Sequence, residues 1–242
     1  MATVATRKAV TTRLPDSEEF TRTLGMWSAL AATAVLALGT VVFVLSEQWT
    51  ELGAYAAGFN ASKLIGWVLF FLLTLLFVPV VASIHVLTPQ RWRAFSLTGL
   101  GFAVMYAAIC GVSCALQFTF VRHQILAGRL VGLEPWVAAS PNSVMFALDN
   151  LGFFLQGLAT LFLAPLFGGR RIMNTIRWLL VVNGIGTIGL IVLTGVMSFG
   201  SAGGQTLYRA TTVVWAAVLT SALLLVAAAF QRRLLPGCWS RK

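Results

Sequence analysis

Six stretches of this 242-residue chain are long and apolar enough to cross a bilayer, and that pattern leaves few folds open. A spanning helix needs about 20 consecutive, mostly apolar residues. Runs of this kind occupy 25–46, 64–87, 94–120, 143–167, 175–199 and 207–230. Inside hydrocarbon a backbone must satisfy its own polar groups, which a helix does and an irregular segment does not. The sequence therefore predicts an all-α, polytopic bundle of six transmembrane helices. Residues 1–22 form a polar tail, 23–232 the membrane domain and 233–242 a basic tail. Only 10% of the residues are charged, against about 25% in a soluble domain, so lipid is the solvent this composition requires.

The basic residues give the direction of threading. Arg7, Lys8, Arg13, Arg22, Arg91, Arg93, Arg170, Arg171, Arg177, Arg232, Arg233, Arg241 and Lys242 fall on one side of the six spans. Lys63, Arg122, Arg129 and Arg209 fall on the other. Lys and Arg accumulate on cytoplasmic loops, so both termini are expected in the cytoplasm. The same asymmetry accounts for the net charge of +10 without a nucleic-acid partner. A basic cytoplasmic rim attracts anionic headgroups, which makes membrane lipids the expected partners. A homo-oligomer or a place in a membrane complex stays open. The first span reads as a retained anchor, because its polar preface is long and holds Asp16, Glu18 and Glu19.

The polar residues that interrupt the apolar runs are the candidates for function. In the fourth span Asp149, Gly152, Gln156 and Thr160 recur at helical spacing, with Asn150 beside the acid. Tyr106, Cys110, Ser113 and Gln117 do so in the third, Asn183, Thr187, Thr194 and Ser198 in the fifth, and Tyr208, Thr212 and Trp215 in the sixth. Such spacing puts each set on one helix face. Polar groups facing lipid are costly, so spans three to six are expected to surround a semi-polar interior toward the outer leaflet. Candidate ligand-binding residues are Asp149, Asn150, Gln156, Gln117, Tyr106, Asn183, Tyr208 and Trp215. Asp149 is expected to pair with Lys63 or Arg209, which can snorkel to its depth. The competing reading makes these groups ordinary interhelical hydrogen-bond partners. Ala103, Ala107, Gly111 and Ala115 add a small-residue seam for close packing.

An offset of 86 residues aligns the second span with the fourth. Gly66 falls on Gly152, Thr74 on Thr160, Pro79 on Pro165 and Arg91-Trp92 on Arg177-Trp178. Spans two and three are thus a candidate duplicate of spans four and five, with Lys63 on Asp149. Each proline removes a backbone donor and crowds the preceding turn, so both helices are expected to bend or end there, at equivalent depths. The long connection 121–142 is expected to lie in the interface or fold back over the bundle, with Ser140 as the cap of the fourth helix.

Several activities lack their residues. His85 and His123 sit near opposite faces, which does not suit a bis-imidazole haem. No zinc spacing, clustered aspartates or Walker motif occurs. "GIGTIG" at 184–189 lies within a span and follows no strand, so it reads as helix-packing glycine. Cys110, Cys114 and Cys238 form no CxxC, and the first two read as packing residues. No cofactor and no metal is implied.

The stretches "VASIHVLTPQRWRAFSLTGLGFAVMYAAI" and "ALDNLGFFLQGLATLFLAPLF" resemble a group of uncharacterised bacterial six-helix integral membrane proteins. In that group a short basic loop with proline joins spans two and three, and an acidic residue opens span four. The resemblance covers about residues 60–235. It implies the six-span topology, a bacterial cytoplasmic (inner) membrane and the placing of Asp149, and it implies no catalytic residue. The leading functional expectation is binding or transport of a small apolar or amphiphilic, lipid-like ligand. The alternatives are a structural or assembly subunit of a membrane complex and a metal-free intramembrane lipid-modifying enzyme with Asp149 as its acid.

The threading is open to a direct check. Single cysteines placed near Arg170 and Arg233 are expected to be shielded from an impermeant thiol reagent in intact cells, and one near Glu51 to react. Labelling at Arg170 from outside reverses the orientation.

Overall fold

The chain folds as helices joined by short connections, seen in a computed structural model that describes residues 15–46, 51–196 and 202–237. The helices are α1 (Pro15–Leu45), α2 (Leu52–Ala57), α3 (Ala61–Leu87), α4 (Arg93–Leu116), α5 (Arg122–Leu126), α6 (Val144–Leu163), α7 (Arg171–Val196), α8 (Ala202–Gln231) and α9 (Leu234–Gly237). Single 3-10 turns sit at Gln90–Trp92, Glu134–Trp136 and Ala164–Leu166, and one π-helical turn, Gln117–Val121, joins α4 to α5. Six helices are long and apolar enough to cross a membrane, as the hydropathy pattern predicts. The polar tail before Pro15, the basic tail from Cys238 and the stripe residue Ser198 lie outside the described residues, as does the side chain of Thr194. The first helix begins at Pro15, well before the apolar run, and an Arg22–Glu18 ion pair braces this polar turn.

Each long helix packs mainly against its neighbours in the chain, and α8 returns to pack against α1. The six spans thus form a closed up-and-down ring. Toward the termini its centre is filled by Leu73, Phe77, Val81, Ile84, Leu163, Leu219 and Leu223, all buried. Phe230 of α8 lies directly over Gly25 of α1, where no Cβ would fit. At the crossing of α6 and α7 the backbones nearly touch. A Cβ on Gly184 would stand 2.7 Å from the Gly157 carbonyl oxygen, and one on Gly157 would stand 3.1 Å from that of Gly184. Small residues permit this approach, as is common where membrane helices cross. Gly186 and Gly189 of the same motif have open space around them, so only its first glycine packs a helix.

The positions that suggested an internal repeat do not take equivalent structure. Pro79 lies inside α3, which runs on to Leu87. Pro165 follows the end of α6 and sits in a 3-10 turn. The difference lies in what comes next: Gly168 and Gly169 (φ 89° at Gly169) turn the chain just after Pro165, whereas Val80-Val81-Ala82 continue the helix after Pro79. Arg91-Trp92 ends a 3-10 turn ahead of α4, while Arg177-Trp178 lies inside α7. The cap of α6 is Ser143, whose hydroxyl accepts from the Phe146 amide at 2.9 Å. Ser140, expected there, instead donates to Glu134 at 3.2 Å.

The connection 127–143 folds back over the ring on the face opposite the termini. Val121, Leu133 and Val137 gather with Tyr55 of α2 into a second small apolar cluster, flanked by Leu52, Phe59, Ile125 and Leu130. This cluster is a roof separate from the main core.

Substitutions at the glycine crossing should follow the contact geometry. Gly184→Ala forces a methyl group against backbone and is expected to cost about 1–3 kcal/mol. Gly186→Ala, two residues on and facing open space, should be neutral or slightly stabilising. Thermal unfolding in detergent separates the two; equal behaviour would contradict the crossing.

Candidate functional site

Beneath the roof the ring lines a partly open cavity of about 200 Å³. Its walls come from Val42, Phe43 and Ser46 at the end of the first span, and from Lys63, Gly66, Trp67, Phe70 and Thr74 of α3. Tyr106, Cys110 and Cys114 of α4, Phe146, Asp149 and Phe153 of α6, and Tyr208, Arg209 and Thr212 of α8 complete them. Tyr55, Ala138, Ala139 and Pro141 close it from above. The wall helices are therefore spans one, two, three, four and six. The expectation that spans three to six enclose the interior is corrected on two points: α1 and α3 line it, and α7 does not. The cause is the closed ring, which brings the first two spans round to the sixth.

Aromatic rings dominate the walls. Tyr208 meets Phe146 at 5.5 Å and Phe43 at 6.5 Å between ring centroids. At the floor Tyr106 meets Phe153 at 6.4 Å, and Phe153 stands edge-on to Trp215 at 4.9 Å. Aromatic pairs of this geometry contribute about 0.5–1.5 kcal/mol beyond their buried area, so the walls hold one another in place without a ligand.

Asp149 is the one carboxylate among the described residues of this lining. It lies about 8 Å along α6 from Val144, at 1.5 Å per residue. Its Oδ1 is sealed from solvent and has no hydrogen-bond partner, with the Ser113 hydroxyl as the neighbouring donor. The Cys110 thiol points at the Asp149 backbone carbonyl, 3.7 Å away, and Gly152 leaves the space that this thiol occupies. Among the described residues no ion pair reaches Asp149. Lys63 and Arg209 share the cavity with it but are aimed elsewhere. The Lys63 ammonium sits 4.8 Å from the centroid of the Tyr55 ring. Arg209 donates to the carbonyl oxygens of Ser46 and Val44 at the end of the first span, and its guanidinium lies 5.9 Å from the Phe43 ring. The exposed carbonyls of a helix C-terminus favour a cation there. Burial pushes the Tyr55 hydroxyl up to about 12 against an opposing hydrogen bond from Trp67, so the roof tyrosine is neutral at physiological pH.

The structure divides the sequence-derived candidates. Asp149, Tyr106 and Tyr208 line the cavity. Gln156, Asn183 and Trp215 do not; they form a buried network one layer below. The Gln156 amide donates to Asn183 at 2.9 Å, the Trp215 indole donates to Gln156 at 3.4 Å, and the Thr160 hydroxyl donates to Asn183 at 3.3 Å. This ties α6, α7 and α8 together. Asn150 donates to the Phe146 carbonyl of its own helix. Gln117 is fully buried and serves the roof: its amide nitrogen donates to the Trp136 carbonyl at 2.9 Å, and its oxygen accepts from the Ala138 amide at 3.1 Å. Sequence reasoning missed Phe43, Trp67, Phe70 and Phe146, because an aromatic residue in an apolar run carries no polar signal.

No family model, curated protein or solved structure matches this chain. Its site is therefore read from geometry alone.

The Gln117 clamp has a measurable consequence. Gln117→Leu strands a buried donor and a buried acceptor of the roof, at about 1–3 kcal/mol for each unsatisfied group. Hydrogen exchange at the Ala138 amide should accelerate strongly in this variant, while exchange along α6 stays unchanged. Unaltered exchange at Ala138 would show that the roof holds without the clamp.

Proposed function

We propose that this chain is a multi-pass protein of a bacterial cytoplasmic membrane that binds, and in the fuller version of the reading transports, a small apolar or amphiphilic ligand in its roofed cavity. The observation that supports it is a partly open aromatic space, about 200 Å³ in volume, with one carboxylate among the described residues of its wall. An engineered apolar cavity of about 150 Å³ stays dry and admits benzene. The space here suits a compact aromatic or branched body, or the end of a longer amphiphile, and is too small for a whole phospholipid. With the basic loops in the cytoplasm, the cavity opens toward the outer leaflet, where such compounds partition. The subunit reading accounts for Gln156, Asn183, Thr160 and Trp215, which serve helix packing. It gives no reason for the void above them.

One observation favours an enzyme as the second reading: aromatic faces around a carboxylic acid suit a reaction that passes through a cation. The two differ in what they return from a lipid extract. A binding protein releases the compound it took up, and an enzyme releases a changed one.

The cavity reading is tested with phenylbutanol, a neutral compound of suitable size, titrated calorimetrically into detergent-purified protein. Saturable binding is expected. Thr212→Phe places a ring in the void and should weaken binding at least tenfold with little change in thermal unfolding. Absence of saturable binding to the unmodified protein, or equal binding to the filled variant, would overturn the reading.

A further inference from the structure

Building on the cavity reading, we infer that the ligand carries a cationic nitrogen, and that Asp149 and the surrounding aromatic faces select a small hydrophobic amine over its neutral and anionic isosteres. Among the described residues the charged groups facing the space are Asp149, Lys63 and Arg209. Arg209 already meets the carbonyl oxygens of Ser46 and Val44, and Lys63 lies over the Tyr55 ring. Asp149 lies in the middle of the wall beside the Ser113 hydroxyl, half-buried and with no ion pair among the described residues. A ligand that fills this void expels whatever water reaches the carboxylate. A wholly apolar ligand thereby leaves the acid stranded: it either stays charged without a partner or takes up a proton, and both cost free energy. An ammonium group reverses the sign of that term, because it supplies both the counter-charge and N–H donors.

The rest of the wall fits the same cation. Phe146 and Tyr208 pack against each other above Asp149, and Phe153 and Tyr106 lie below it, within about one helical turn along α6 and α4. Ring faces attract a cation through their quadrupole, and more strongly where water is excluded. The ligand's apolar body then occupies the space toward Trp67, Phe70 and Thr74 on the opposite wall. The remaining titratable groups here are the Cys110 and Cys114 thiols and the Tyr106 and Tyr208 hydroxyls. None of them supplies a second acid, so among the described residues the preference depends on a single carboxylate.

Three compounds of the same shape decide the matter: phenylbutylamine as the cation, phenylbutanol as the neutral body and phenylbutyrate as the anion. Each is titrated into the purified full-length chain at neutral pH. The amine is expected to bind at least tenfold more tightly than the alcohol, and the acid to bind most weakly. Asp149→Asn should abolish the advantage of the amine, weakening the amine and relieving the cost that the carboxylate imposes on the alcohol. Equal binding of amine and alcohol would overturn the inference while the cavity reading stands. Tightest binding of the acid would also overturn it and assign the selectivity to Lys63 and Arg209. Failure of the alcohol and the amine together would overturn both readings. Because the comparison of the three compounds uses the unmodified protein, it holds even if the Asp149 variant fails to fold.

Discussion

A closed ring of six helices surrounds more space than six backbones occupy, and the arrangement depends on how that space is filled. Helix axes pack at about 8–10 Å, so a ring in which each helix packs mainly against two others leaves a centre that only side chains can fill. On the terminal side large buried side chains nearly close it: Phe77, Leu163, Leu219 and Leu223 border a remaining space of only about 20 Å³. On the other side the residues facing inward include Gly66, Thr74, Cys110, Cys114 and Thr212. Between the aromatic rings of the wall these small residues do not reach across, and the void remains. One fold thus carries a solid half and a hollow half, and side-chain volume decides where the boundary falls.

Polarity is sorted in the same way. Asparagine, glutamine and threonine sit at the boundary layer, where Gln156 and Thr160 both donate to the Asn183 side-chain oxygen across helices. In lipid such bonds contribute about 0.6–2 kcal/mol each. They also fix the rotation of α6 about its axis, since Gln156 must face α7 and α8. With that rotation fixed, Asp149, two turns earlier on the same helix, is aimed into the void. The packing residues and the carboxylate are therefore linked by one helix geometry, which explains why both kinds fell on a single stripe in the sequence.

The fold was legible where the signal is continuous. Six apolar runs specify six helices, and the structure has six of spanning length. The inward placing of Asp149, Tyr106 and Tyr208 followed from periodicity alone. What was not legible depended on contacts between distant segments. Nothing in the sequence says that α8 returns to α1, so the share of the first two spans in the cavity wall went unseen. The repeat of Gly66, Thr74 and Pro79 in Gly152, Thr160 and Pro165 was visible in the letters. The neighbours differ, however: Gly168 and Gly169 stop one helix where Val80 and Val81 continue the other. The cap moved from Ser140 to Ser143 because Ser140 bonds Glu134 instead.

The π-helical turn at Gln117–Val121 changes what the third span can do beyond its own length. Such a turn holds one residue more than an α-helical turn, and one residue of α-helix corresponds to a rotation of about 100°. Everything after Val121 is therefore presented on a different compass bearing from the stripe that leads up to Gln117. Without this offset the helix would keep one face inward along its whole length. With it, the span turns its lower part toward the cavity wall, its turn at Gln117 toward the covering loop, and its last residues, including Ile125, toward the apolar cluster of the roof. A single continuous rod thereby serves as wall, bolt and eave. Removing one residue from that turn would rotate the roof's attachment points while leaving the amino-acid composition of the span almost untouched.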